Sequence, residues 1–375
     1  MIKIRYQHFF KTIASTFKVI YPLVLIDAYL RLIQNTVFNP NGFFIKIFNL
    51  SWKYQSLGRL FTPLTTILEL LILLFFGYLL TTRFSLHKSP DLSFNTVIIL
   101  AVACVNISPD LRTIWNQPPL LLVILISWLV AHIFGKIPWP TIRVSLALFS
   151  GCLLNLLQQS DVLIKLPGIS TSARNLNWWT LGPLVMIRNL ATWLGLINPF
   201  SETKQTITSP SATANLSVAL SHQSLNHLPY PINLHSIYTS YAFLGGIGCT
   251  LGLILALLIV KKERLVLQNI FLTMFGFNAP LLLRLPVLFN PYFLIPFIVS
   301  PLISMLIGAL FIQLGWASPA VYQIFSGTPS FLINFLGTNG NWGSLIATII
   351  AIICSTVIYL PFVKAEVDYE NKTLD

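Results

Sequence analysis

The sequence predicts an all-α polytopic membrane protein with about ten membrane-embedded segments, including re-entrant hairpins. Three observations carry this. Charged residues make up only 9% of the 375 positions and hydrophobic residues 55%, whereas an ordinary soluble domain is about 25% charged. Residues 205–260 and 285–363 contain no Asp, Glu, Lys or Arg. Each stretch is far longer than the roughly 20 apolar residues that one helical crossing needs. Pro and Gly interrupt several apolar runs, which membranes tolerate only where the freed backbone groups are buried in protein or line a cavity. A disordered chain would need the opposite composition, low in hydrophobicity and high in charge.

In chain order, candidate spans fall near 13–34, 60–82, 93–109, 117–135, 141–158, 177–198, 236–260, 292–314 and 341–363, with a shorter, broken apolar segment at 267–287. Residues 41–50 are too short to cross and read as an interfacial helix with aromatic anchors. The longest polar interval is 199–235, and a short polar, net acidic tail follows Val363. Met1 to Lys11 is basic, but no cleavage-like segment follows the first apolar run, so no signal peptide is expected.

The formal charge of +12 comes from basic residues scattered at span ends. Scatter of this kind sets topology and excludes nucleic acid as a partner. Lys3, Arg5 and Lys11 place the N-terminus in the cytoplasm. Seven full crossings would then put Lys261, Lys262 and Arg264 outside, against the positive-inside rule. One segment is therefore expected to enter and leave on the same side. Residues 177–198 are the candidate, because they contain Gly182-Pro183 and end in Asn198-Pro199.

A weak internal echo points the same way. Pro183-Leu-Val-Met-Ile-Arg188 leads to Asn198-Pro199-Phe200, and Pro280-Leu-Leu-Leu-Arg284 leads to Asn290-Pro291-Tyr292. Paired Pro-broken segments are the mark of a transporter with discontinuous helices.

No enzyme motif is legible: there is no Walker loop, no G-x-S-x-G and no H-E-x-x-H. No cofactor and no metal are expected. The six histidines lie mostly in polar connections and read as solvated. Cys104, Cys152, Cys249 and Cys354 lie in apolar runs without zinc or disulfide spacing and read as packing residues.

The richest region is 241–296. It opens with Gly245-Gly246-Ile-Gly248-Cys-Thr250-Leu-Gly252, where glycine lets backbone approach backbone or ligand. Phe275-Gly-Phe-Asn278-Ala279-Pro280 follows, then Arg284, Pro286, Asn290-Pro291, Pro296 and Pro301. Five prolines between 280 and 301 predict a re-entrant hairpin followed by a kinked span.

These residues resemble the membrane subunit IIC of the lactose/cellobiose (type 3) group of bacterial phosphoenolpyruvate-dependent sugar phosphotransferase systems. That family reads G-G-x-G-x-T-L-G-L, a basic loop, then F-N-I-N-E-P-I-x-F-G-x-P-x-x-x-N-P and x-x-I-P-F. Gly245 to Leu253, Asn278-Ala279-Pro280 through Pro286 to Asn290-Pro291, and Leu294-Ile-Pro296-Phe297 follow this pattern, and Tyr359-Leu-Pro361-Phe362 resembles the family's closing motif. The resemblance implies a homodimer in the bacterial cell membrane, with residues 1–170 as an interface half. It makes 171–365 a sugar-transport half carrying the hairpins, and 366–375 a cytoplasmic tail. It also implies that a separate IIB protein, charged by IIA, phosphorylates the sugar, so that this chain holds no phosphorylated or catalytic residue. Its candidate substrate-binding residues are Gly246, Gly248, Asn278 and Arg284. Pro183, Pro280, Pro286, Asn290 and Pro291 would shape the hairpins.

The departures from the family are specific. Ala279 stands where the family has a sugar-binding glutamate. The stretch Leu181-Gly-Pro-Leu-Val185, which matches a family G-I-H-G motif, has no histidine. Arg284 and Asp27 stand where the family has glycine. Asn278 reads either as a sugar ligand or as a hairpin-tip residue that caps freed backbone groups. Asp27, Arg31, Glu69, Arg188 and Arg284 are intramembrane charges, which are costly and usually paired. Asp27 and Arg31, four apart, are expected to pair locally. Arg284 is expected to face the translocation cavity, held by freed carbonyls or by Glu69. Three readings stand open: a sugar permease of this type, a degenerate paralogue with a regulatory or structural role, and a permease for a different, anionic solute.

Overall fold

The computed structural model describes residues 2–49, 55–85, 90–105, 117–159, 178–199, 209–225 and 227–372. Among these, secondary structure is helical. The helices are α1 (Ile2–Ile33), α2 (Phe43–Phe48), α3 (Gln55–Phe84), α4 (Pro90–Cys104), α5 (Leu120–Ile133), α6 (Pro140–Gln159), α7 (Trp178–Trp193), α8 (Pro210–His222), α9 (Thr250–Ile259), α10 (Glu263–Met274), α11 (Ala279–Arg284), α12 (Pro291–Gln313), α13 (Ile333–Gly337) and α14 (Trp342–Lys372). Two π-helical stretches occupy Gln34–Phe38 and Leu234–Ala242.

Among the described residues, five segments are long and apolar enough to cross a membrane: Phe9–Phe38, Gly58–Phe84, Pro140–Gln158, Pro291–Gln313 and Trp342–Asp368. Helix α3 packs against α1, α4 and α5, and α4 packs against α6. Farther along the chain, α14 lies on α12 and α9, and α12 also touches α7 and the Leu234–Ala242 stretch. Helix α11 joins the two sets by packing on α1. Apolar residues fill the interior, among them Phe17, Phe76, Phe293 and Phe297. The rings of Phe17 and Phe76 stack with centroids 5.1 Å apart, which fixes α1 on α3.

A short helix, α2, forms within the segment 41–50, of which residue 50 lies outside the described residues. Phe43 and Phe44 face the ring of Phe275, with centroids 6.4 and 5.8 Å away. The turn before α2 also touches the far end of the sequence. Phe43 N–H donates to Ser326 O at 2.9 Å and Ser326 N–H donates to Asn41 O at 2.8 Å.

Two expectations need correction. Residues 236–260 do not form one span. The chain leaves the π-helical stretch at Ala242, turns through residues with positive φ, and starts α9 only at Thr250. Helix α7 is not broken at Gly182-Pro183, because Pro183 lies inside it. A proline one turn into a helix removes one hydrogen bond, and the neighbouring turns hold the backbone. The chain instead turns after Trp193, at Leu194–Asn198. The polar interval 199–235 contains α8, whose Ser209 cap accepts from Ala212 N–H at 3.2 Å and whose first residue is Pro210. The segment 267–287 is broken as expected, with turns at 275–278 and after Arg284. The prolines at 296 and 301 are carried inside a continuous α12. Helix α14 runs on to Lys372, through the start of the expected tail.

Candidate functional site

The glycine-rich segment folds into a left-handed turn between the π-helical stretch and α9. Gly245, Gly246 and Gly248 have φ of 86°, 101° and 81°, and Cys249 follows at 53°. Side-chain bulk is excluded here. A Cβ on Gly246 would lie 2.6 Å from Asn278 Cγ, and one on Gly248 would lie 2.4 Å from the Phe297 ring.

Asn278 locks the turn. It is 4% exposed. Its Nδ2 donates to Ile247 O at 2.8 Å and to Thr250 Oγ1 at 3.1 Å. Thr250 Oγ1 donates to Gly245 O, 2.6 Å away. The amide therefore satisfies backbone freed by the turn, and it makes no side-chain cap to its own helix α11. Helix α14 holds the other side: Tyr359 Oη donates to Gly248 O at 2.7 Å, and Ser355 Oγ donates to Cys249 O at 3.1 Å. Gly245 N–H donates to Ser330 Oγ at 2.9 Å, and Ser330 Oγ donates to Met274 O at 3.0 Å. Four separate parts of the chain thus meet at one turn.

Thr273 Oγ1, beside Gly245, is buried without a protein hydrogen-bond partner, and so are Ser300 Oγ and Ser304 Oγ of α12. The Thr273 methyl would lie 3.0 Å from a Cβ on Gly245. Ser300 is one turn along α12 from Phe297. Ala279, in the position of the family's carboxylate, opens α11 and is 7% exposed. Pro280 sits in the first turn of α11, where its missing N–H costs nothing. Pro286 lies in the turn after it. Asn290 Oδ1 accepts from Tyr292 N–H at 3.1 Å and caps α12, with Pro291 as the first helical residue.

The two echoing segments touch. Phe289 N–H donates to Trp193 O at 3.1 Å, and Trp193 Nε1 donates to Asn290 O at 3.1 Å. Their Asn-Pro pairs play different parts, however. Asn290 caps a helix, while Asn198 Nδ2 donates to Gln117 Oε1 at 3.2 Å.

Arg284 does not pair with Glu69. It is half-buried, and its guanidinium stands over the Tyr21 ring of α1, 5.9 Å from the centroid. Glu69 is bonded to Arg31 and Gln117 instead. The Asp27–Arg31 pair is present at 3.1 Å. Arg188 lies over the rings of Tyr238 and Phe243, at 5.8 and 5.5 Å.

Sequence reasoning missed two groups here. His235 is buried in the π-helical stretch, with Nε2 3.4 Å from Tyr322 O, although it reads as a loop residue. The signal was Asn233 three residues before Ser236, which forms a reciprocal cap: Asn233 Oδ1 accepts from Ser236 N–H at 2.9 Å, and Ser236 Oγ accepts from Asn233 N–H at 3.0 Å. Thr273 had no signal, because its place beside Gly245 depends on how α10 packs.

No family model matches the chain. The chain is 34% identical over 142 residues to the cellobiose-specific EIIC component of the phosphotransferase system of Lactococcus lactis, covering 37% of this chain and 29% of that protein. It is 32% identical over 136 residues to the lactose-specific EIICB component of Staphylococcus aureus, covering 35% and 23%. Over about a third of its length, then, the chain is similar to phosphotransferase IIC components. A putative permease IIC component of Bacillus subtilis is 27% identical over 141 residues, covering 35% of this chain and 32% of that protein. The matches thus span under a third of each curated relative's length. A crystal structure of ChbC, the IIC component from the N,N'-diacetylchitobiose-specific phosphotransferase system, aligns with a TM-score of 0.44 and 17% identity over 96% of this chain and 93% of that one. With five described segments long and apolar enough to cross a bilayer, the chain is an integral membrane protein.

Proposed function

We propose that this chain is a phosphotransferase-type sugar permease. It would carry a sugar through residues 171–365 for phosphorylation by a separate cytoplasmic IIB protein, with residues 1–170 forming the interface of a homodimer. The observation that carries this reading is the glycine turn locked by Asn278 and Tyr359, with the buried start of α11, at the position of the family's carboxylate, adjoining Asn278. Glycine lets a ligand approach such a turn closely, and the buried hydroxyls of Thr273 and Ser300 have no protein partner and would be the groups left to bond a hydroxylated ligand. Gly246 and Gly248 would then shape the sugar site. Asn278 would contribute through Oδ1, since its Nδ2 is engaged with the turn.

Ala279 removes a carboxylate that accepts hydroxyl hydrogen bonds. Each charged hydrogen bond contributes about 1.5–3 kcal/mol, so sugar affinity should be weak, and restoring one such bond should tighten it about 10- to 100-fold. The test is equilibrium binding of cellobiose to purified protein, wild type against Ala279→Glu and against Ala279→Glu with Arg284→Gly. Tighter binding by either variant supports the reading. No binding by wild type or by either variant, with all three folded, refutes it.

A further inference from the structure

Two buried carboxylates share one guanidinium in the middle of the first two long spans. Asp27 is 2% exposed and Glu69 3%. Arg31 Nε donates to Asp27 Oδ2 at 3.1 Å, and Arg31 Nη2 pairs with Glu69 Oε1. Gln117 Nε2 donates to the other Glu69 oxygen, Oε2. Gln117 brings no charge. Asp27 Oδ1 is buried and has no hydrogen-bond partner.

The charge count is the physical problem. Two ionised carboxylates and one guanidinium leave one negative charge in excess, inside helices that cross the membrane. A buried charge that lacks a partner costs several kcal/mol. No further cation reaches the cluster from the described residues packed on α1 and α3. Arg284 of α11 stands over Tyr21, nearly two turns before Asp27. Arg83 of α3 bonds Ser15 and Thr16, three turns away. Lys18 is exposed on α1, and Glu263 and Arg264 lie in the first turn of α10. Helices α4 and α5 bring only Asp91 and His132, at the start of one and the end of the other.

We propose that the Asp27–Arg31–Glu69 cluster is a proton-binding site, with one exchangeable proton held at Asp27 Oδ1, the carboxylate oxygen of the cluster with neither a hydrogen bond nor an ion pair. A proton removes the excess charge and needs no added space. Arg31 and Gln117 are only half-buried, which leaves an exchange route. The chain Glu69–Gln117–Asn198 carries the charge state of this site to the turn that follows α7. The site is independent of the sugar reading.

The test is infrared difference spectroscopy of the purified full chain in lipid nanodiscs, titrated across neutral pH. Wild type should show the carbonyl band of one protonated carboxyl per chain at neutral pH and lose it on alkalinisation. Asp27→Asn should lack that band. Glu69→Gln should lack it too, because removing the other negative charge leaves Asp27 and Arg31 balanced. Thermal unfolding gives a second readout. Where the folded protein keeps the proton and the unfolded chain has lost it, the wild-type unfolding constant should rise about tenfold per pH unit, while both variants stay flat. Absence of the band in wild type, or its persistence in Asp27→Asn, would overturn the proposal. If Asp27→Asn does not fold, persistence in Glu69→Gln overturns it equally. Stabilisation by sodium at constant ionic strength, with no protonated band, would assign the site to a metal cation and refute the proton.

Discussion

Adding a single methyl group at Gly246 tests the lock between the glycine turn and Asn278. The new Cβ would sit 2.6 Å from Asn278 Cγ, 2.8 Å from Nδ2 and 2.9 Å from Oδ1, well inside contact distance. Two costs combine. Holding a non-glycine residue at φ near 101° costs about 1–3 kcal/mol, and overpacking a buried site costs about 1–3 kcal/mol more. Gly246→Ala should therefore destabilise by about 2–6 kcal/mol. Asn278→Ala should cost about 1–3 kcal/mol by stranding the buried Ile247 carbonyl. The double variant keeps the backbone strain but not the collision. The two changes should therefore be less than additive, by about 1–3 kcal/mol. The assay is unfolding in mixed micelles with increasing SDS, for wild type, both single variants and the double variant. Strict additivity would mean that Asn278 does not fill the space over Gly246, and the reasoning would fall.

Further outcomes follow from the same geometry. Tyr359→Phe leaves Gly248 O without its 2.7 Å partner and should cost about 1–3 kcal/mol in the same assay, with little change in ring packing. Tyr21→Leu should destabilise more than Tyr21→Phe, since only the first removes the ring beneath Arg284, a contact that contributes about 0.5–2 kcal/mol. The positive-inside rule places Lys261–Arg264 in the cytoplasm. In a Cys-free background, Lys262→Cys should resist an impermeant thiol reagent in intact cells and react once the cells are opened; rapid labelling of intact cells would reverse the assignment.

Much of the fold was legible because apolar runs and punctuation are local. Residues 60–82 lie inside α3 and 141–158 inside α6, and the short helix α2 falls within 41–50. The Asp27–Arg31 pair followed from four-residue spacing alone. What failed depended on backbone conformation or on rotation between helices. The glycines of 245–248 signalled close approach, but their left-handed φ values, and so the break in 236–260, come from packing against Asn278 and Phe297. Helix α8 was hidden by polar residues, although Ser209-Pro210 is a cap followed by a favoured first residue. The partner of Glu69 was misassigned to Arg284, because which of two arginines reaches a carboxylate is decided by the packing of α3 on α1.

The backbone clasp between the turn before α2 and Ser326 constrains how this chain can move. Two main-chain hydrogen bonds, at 2.9 and 2.8 Å, tie position 43 to position 326 and position 326 back to position 41. Side chains can swap rotamers at little cost, but these bonds can lengthen only by breaking. Any displacement of the 325–328 turn must therefore either open the clasp or drag the connector between α1 and α2 along with it. In mechanical terms the clasp is a pivot: rocking about it is cheap, sliding past it is not.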